Sequence, residues 1–140
     1  MPELIVIAYT DQTAAAQAAA ELDRCAAEIS LDPDAVGVIV GERDGKLQLL
    51  TSRHPGATAA WSRFWGVLFG VLMNEAEPSE LDRSFRQRVK GLLGPGSSVL
   101  LVAVDRVRPE TVLAAVSQYG GNTLTCPLGD DTAAGLWPQQ

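Results

Sequence analysis

The sequence is poor in the residues on which small metal-binding and disulfide-rich proteins depend. Its 140 residues include two cysteines and one histidine. Two cysteines are too few for a disulfide framework, and a single histidine leaves little room for a metal site built on imidazole. We therefore expect no metal ion, and we expect Cys25 and Cys126 to be buried, unreactive thiols.

Positive charge is also scarce. Eleven Lys and Arg residues stand against 17 Asp and Glu residues, which gives a formal net charge of −6. An acidic surface repels phosphate backbones, so we do not expect nucleic acid as a partner. The first residues, MPELIVIAY, contain neither a basic segment nor a small-residue cleavage site, and so the sequence predicts a cytoplasmic protein.

Recognisable catalytic motifs are missing as well. The sequence has no glycine-rich phosphate loop and no HExxH, CxxC or GxSxG motif. We therefore assign no catalytic residue and no cofactor, and a non-enzymatic role is favoured. The alternative is a small-molecule or anion-binding protein or enzyme, with a cleft between the sheet and the central helices lined by Arg53, His54 and Tyr9. A loop histidine that is merely exposed is the simpler interpretation of His54.

Hydrophobic residues make up 46% of the chain, which is enough for one buried core in a single domain. Short apolar runs predict five strands: Leu4–Tyr9, Ala35–Val40, Lys46–Thr51, Ser98–Val104 and Asn122–Cys126. Apolar residues at helical spacing predict helices over Gln12–Ile29 and from Arg108 to Tyr119.

The order of these elements predicts an α+β protein. Two β-α-β units favour a ferredoxin-like fold, with a mixed sheet of four or five strands and helices on one face. We expect residues 1–128 to form one domain with a helical hairpin inserted at about 57–93, followed by a tail over 129–140.

The central stretch over residues 57–73, ATAAWSRFWGVLFGVLM, is the most apolar part of the chain. A helix of this length reaches about 25 Å, whereas the hydrocarbon core of a bilayer is about 30 Å thick. Arg63 lies within it, and a charged side chain at the middle of a spanning helix is costly. We therefore do not expect the segment to cross a membrane.

A helix that is apolar nearly all round must still be covered by something. Its large side chains and glycines form the predicted interface of a homodimer or higher homo-oligomer: Trp61, Phe64, Trp65, Gly66, Phe69 and Gly70. Gly66 and Gly70 leave a strip where a second backbone can approach closely. The alternative is a core helix whose glycines make room for the sheet.

The next predicted helix, about Pro78 to Leu93, combines an apolar stripe with a basic side. The stripe consists of Leu81, Phe85, Val89 and Leu92, and the basic side consists of Arg83, Arg86, Arg88 and Lys90. The favoured interpretation is a solvated face whose cations stabilise the C-terminal half of the helix. The alternative is peripheral attachment to an anionic membrane surface, through these cations and the aromatic helix together.

Three segments carry a family resemblance that runs from Leu4 to about Leu128: LIVIAYTDQTAAAQAAAEL, VIVGERDGKLQLL and GPGSSVLLVAVDRVRPETVLAAVSQYGGNTLTCPL. The chain resembles the bacterial domain-of-unknown-function family numbered twelve sixty-nine, whose members are often labelled predicted membrane proteins. Pro-Gly-Ser-Ser before the fourth strand and Gly-Gly before the last are its more specific pieces. The resemblance implies no established activity and no site residues. The central segment departs from the family's longer, glycine-rich apolar hairpin.

Overall fold

The computed structural model describes residues 3–29, 31, 33–51, 59–74, 83–105 and 108–128. The strands of this part of the chain are β1 (Glu3–Tyr9), β2 (Val36–Gly41), β3 (Leu47–Thr51), β4 (Ser98–Val104) and β5 (Asn122–Pro127). Its α-helices are α1 (Ala14–Cys25), α2 (Ala59–Asn74), α3 (Arg83–Leu92) and α4 (Pro109–Ala115). The predicted α+β class and the predicted strands are confirmed.

The strands form one sheet in the order β3-β2-β4-β1-β5, and each neighbouring pair is antiparallel. The predicted mixed sheet is therefore wrong. The two strands of each β-α-β unit do run parallel, but a strand of the other unit lies between them, so no two parallel strands are adjacent. This interleaving is consistent with a ferredoxin-like arrangement to which β3 is added at one edge.

Helices cover both faces of the sheet, which corrects the prediction of one covered face. Ser98 Oγ on β4 accepts a hydrogen bond of 3.1 Å from the Ala15 backbone N–H of α1. A Cβ built on Gly37 in β2 would lie 3.2 Å from the ring of Trp65 in α2. Ser98 pairs with Val40 in register, and Gly37 lies three residues before Val40, so Gly37 faces the opposite side.

The two helical layers explain why the central strands read as continuous apolar runs. α1 contacts α4 on one face, and α2 contacts α3 on the other. Every residue of β2 and β4 is buried, and so is every residue of β1 after Glu3. A strand covered on both faces has no reason to alternate apolar with polar residues.

The first helix begins at Ala14, two residues later than Gln12, after a turn that the Asp11 side chain stabilises. Asp11 Oδ1 accepts hydrogen bonds from the backbone N–H groups of Thr13 (2.7 Å) and Ala14 (3.1 Å). These bonds satisfy donors that the first turn of the helix leaves open. The hydrogen bonds from Thr13 are the main reason that the pKa of Asp11 is lowered from its ordinary value.

The Gly-Pro-Gly-Ser-Ser segment between α3 and β4 serves the fold. Ser97 Oγ accepts a hydrogen bond of 2.9 Å from the Gly94 backbone N–H, which closes the turn. Ser98 Oγ donates a hydrogen bond of 2.6 Å to the Asp11 carbonyl oxygen, in addition to its bond with α1. The two serines therefore fix the start of β4 to the turn before it and to the start of α1.

Candidate self-association surface on helix α2

The inner side of α2 carries the two tryptophans. Trp61 and Trp65 are each 2% exposed. Their rings stack with centroids 6.3 Å apart and planes at 27°. Trp65 Nε1–H donates a hydrogen bond of 2.9 Å to the Asp34 carbonyl oxygen, just before β2. On this side α2 is a core helix, because the apolar area of both rings is buried and the indole N–H of Trp65 has a hydrogen-bond acceptor.

Burial of the two tryptophans reduces the number of predicted interface residues that are accessible to a second copy of the chain. Trp61 and Trp65 have almost no area left to offer a second copy of the chain. Phe64 and Phe69 are partly buried and pack against the same core. Of the predicted residues, only the two glycines lie away from the sheet.

The outer side of α2 presents the exposed Arg63 and, within the next two turns, Gly66, Val67 and Gly70. We call the last three positions the outer strip. Val67 is 61% exposed, and Gly66 is exposed. No described residue lies within 4 Å of the position that a Cβ would take on Gly66 or on Gly70. A glycine inside a helix costs about 1 kcal/mol relative to alanine. The described part of the chain offers no packing contact that would require either glycine.

The predicted stripe of α3 is confirmed where the structure describes it. Phe85 and Val89 are buried, Leu92 is partly buried, and Leu81 lies outside the described residues. Arg86, however, is 4% exposed, so its predicted place on the solvated basic side is wrong. Residue 86 lies next to Phe85 and three residues before Val89, which puts it on the flank of the stripe.

Burial of Arg86 changes what α3 can offer to an anion. Its side chain lies inside the fold. Arg88 and Lys90 remain exposed, and the side chain of Arg83 lies outside the described residues. One of the four cations predicted for the basic side is therefore buried. The sequence signal for this burial is the helical spacing between Arg86 and Val89, which charge alone does not reveal.

The model of a family described as a protein of unknown function, DUF1269, matches residues 62–138, more than half of the chain. The chain belongs to the DUF1269 family. The matched region begins in α2, so it includes the outer strip, α3 and the whole of the second β-α-β unit. No curated protein and no solved structure matches the chain.

Tyr9 ends β1 with its side chain inside the fold of this DUF1269 chain. It is 5% exposed, and its hydroxyl makes no hydrogen bond to any described residue. Burial raises the pKa of Tyr9 to about 12, and the neighbouring Tyr119 adds to the rise. Tyr9 pairs with Ser98 in register, so its side chain lies on the face covered by α1 and α4. Tyr9 therefore does not line a cleft between the sheet and the α2–α3 hairpin.

The other two predicted binding residues, Arg53 and His54, lie outside the described residues. The last described residue before them is Thr51, which pairs with Gly37 at one end of the sheet. Tyr9 lies three strands away and, in register, three residues further along the sheet. Strands are spaced by about 4.8 Å, so Thr51 and Tyr9 are separated by at least about 14 Å across the sheet.

The remaining polar features of the described residues form no second candidate. An open groove beside the short helix α4 is lined by Arg108, Glu110, Thr111 and Ala114. In the described part of the chain, no three His, Cys, Asp or Glu side chains come together as ligands for a metal ion. Among the helices of that part, none has both the length and the apolar character needed to cross a bilayer.

Proposed function

We propose that this DUF1269 chain is a cytoplasmic, non-enzymatic domain that associates with copies of itself through the outer strip of α2. The observation that carries the proposal is an apolar side chain, Val67, that is 61% exposed and is flanked by two glycines at which an added Cβ would meet no described residue. A single exposed valine is ordinary on a protein surface. Its combination with two helix-interior glycines that no described packing contact requires is not ordinary.

Close packing of two α2 helices would give these residues a purpose. Without a Cβ at Gly66 and Gly70, two helix backbones can approach closely and gain dispersion contacts along their length. Burying a valine side chain contributes about 1.5 kcal/mol. In a two-fold arrangement each contribution occurs twice, because the same patch is used by both copies.

The decisive experiment compares Val67→Glu with Gln87→Glu. Both substitutions add one negative charge at an exposed position of the helical hairpin, but Gln87 lies on α3 and is not part of the outer strip. We expect the unmodified chain and the Gln87→Glu variant to form a dimer or larger assembly at micromolar concentration. The Val67→Glu variant should associate at least tenfold more weakly, because each carboxylate would lose its water in the contact. Sedimentation equilibrium measures the difference, and circular dichroism verifies that each variant is folded.

Three results would contradict the proposal. One is a monodisperse monomer of the unmodified chain across the micromolar range. A second is an unchanged assembly in the Val67→Glu variant. The third is a monomer that floats with anionic vesicles at low salt and loses this binding in Val67→Glu, since that would assign the outer strip to a membrane surface.

A further inference from the structure

The outer side of α2 has opposite charge at its two ends. Toward the beginning of the helix Arg63 is exposed, and it forms no ion pair with any described residue. The helix ends at Asn74, and the last four carbonyl groups of an α-helix have no partner within it and carry a partial negative charge. Val67, Gly70 and Asn74 follow Arg63 at intervals of three or four residues, which keeps all four on one side of the helix. The outer strip therefore lies between a cation and the negative end of a helix dipole.

The exposed arginine distinguishes the two ways in which a two-fold axis can pair the outer strips of two copies. If the axis runs along the helices, they are parallel and the two copies of Arg63 face each other. The axes of packed helices are about 8–10 Å apart, so the two guanidinium groups would repel each other at close range. The charge at Arg63 therefore opposes the parallel arrangement.

The antiparallel arrangement removes this repulsion. If the axis crosses the helices at the centre of the outer strip, Gly66 of each copy faces Gly70 of the other, and Arg63 lies opposite the last turn of the second helix. At a rise of about 1.5 Å per residue the two arginines are then about 15 Å apart along the helices, beyond the roughly 8 Å screening length of physiological salt. Each cation instead approaches carbonyl groups whose partial charge attracts it.

We propose that two copies of the chain pair their α2 helices antiparallel, with each Arg63 at the C-terminal turn of the other helix. This inference rests on the proposed function and adds the orientation of its contact. The outer side of α2 is complementary to itself in this arrangement, because the two-fold rotation brings its positive end to its negative end. Gly66 and Gly70 between the ends allow the backbones to approach closely. A second copy is therefore the partner that matches this surface in charge.

The test reverses the charge of Arg63. In the Arg63→Glu variant a carboxylate of each copy would lie at the negative end of the other helix, so we expect association to weaken about tenfold or more. The matched control is Arg88→Glu, which changes an exposed cation of α3 and lowers the net charge of the chain by the same amount. Association of the control should stay within about threefold of the unmodified chain. Sedimentation equilibrium measures both variants, and circular dichroism verifies that they are folded.

A milder variant keeps the test decisive if Arg63→Glu does not fold. Arg63→Gln removes the attraction to the partner's carbonyl groups without introducing repulsion. Because the contact occurs twice in the dimer, we expect association to weaken about threefold or more at low salt, and less at high salt, where the exposed charge is screened. Association as strong as that of the unmodified chain at low salt would contradict the inference.

A mixture of the unmodified chain with Arg63→Glu separates the two orientations. In the antiparallel dimer the two ends act independently, so the mixed dimer should be intermediate in stability between the two parent dimers. In a parallel dimer the arginine of one copy would face the glutamate of the other, and the mixed dimer would be the most stable of the three. A mixed dimer that is the most stable therefore overturns the inference. Equal association of the Arg63→Glu variant and the Arg88→Glu control overturns it as well.

The results also separate this inference from the proposed function. A monomeric unmodified chain contradicts the proposed function, and the antiparallel pairing with it. An assembly that Val67→Glu disrupts, but that Arg63→Glu leaves as strong as its control, supports the outer strip as the interface and contradicts only the antiparallel orientation.

Discussion

Two glycines of the sheet and two glycines of α2 differ in what surrounds them. In the sheet, a Cβ on Gly37 would press on the Trp65 ring, and one on Gly41 would overlap the Gly94 carbonyl oxygen. In α2, Gly66 and Gly70 have no described residue within 4 Å of the same position. Packing within the chain thus explains why the first two positions are glycine. Packing among the described residues does not account for the second group, and this difference directs attention to the outer strip.

The largest effect is expected at Gly41, where the contact is with backbone and cannot yield. The Gly41→Ala substitution should lower the free energy of unfolding by about 2–3 kcal/mol, because strand and turn must separate to admit the methyl group. Urea unfolding measures this. The matched control is Gly91→Ala on α3, where no described residue is near the added methyl group. A Gly41→Ala variant as stable as this control would show that the turn adjusts freely.

The helix glycines should respond in two opposite ways. The double substitution Gly66→Ala with Gly70→Ala should stabilise the isolated chain by up to about 2 kcal/mol, since alanine favours the helix by about 1 kcal/mol at each site. The same methyl groups should hold two helices apart and weaken association several-fold. Thermal unfolding at low concentration and sedimentation at high concentration separate the two effects. Stabilisation without any change in association would remove the reason for assigning these glycines to an interface.

The smallest effect is expected inside the core, at Tyr9. The Tyr9→Phe substitution should raise the free energy of unfolding by about 1 kcal/mol, because it removes a buried hydroxyl that bonds to no described residue. The pKa of Tyr9 is about 12 in the folded protein, and the ordinary value is 10. Ionisation of Tyr9 therefore leaves the free energy of unfolding unchanged below pH 10 and lowers it as the pH rises toward 12. The phenylalanine variant should lack that alkaline loss. Destabilisation by Tyr9→Phe at neutral pH would instead show that the hydroxyl serves a bound group.

Much of the fold could be predicted from local pattern. The strand Ser98–Val104 was predicted with the bounds that the structure has, because a buried strand is a continuous apolar run between turn residues. The antiparallel arrangement of the sheet could not be predicted in this way, since no local pattern indicates which strand lies between β1 and β2. The second helical layer was missed for the same reason, although the doubly apolar strands already indicated that both faces are covered.

For the candidate surface on α2, too, one part could be predicted from the sequence and another part could not. Helical spacing in the sequence identified α2 as the apolar segment that must be covered. It did not show which side the sheet covers, and so the tryptophans were placed at the interface although they lie beneath the helix. Arg86 was assigned to solvent because of its charge, whereas its position on α3 buries it.

The amino-acid sequence by itself determined the elements, the α+β class and the presence of an apolar central helix, because these follow from contacts within a few residues of one another. Only the tertiary structure decided the antiparallel order of the strands, the inner and outer sides of α2 and the position of β3 at one side of the described sheet. These properties depend on residues distant in the sequence, such as Gly37 beneath Trp65 and Ser98 beside Ala15, and such pairs are defined only once the chain has packed.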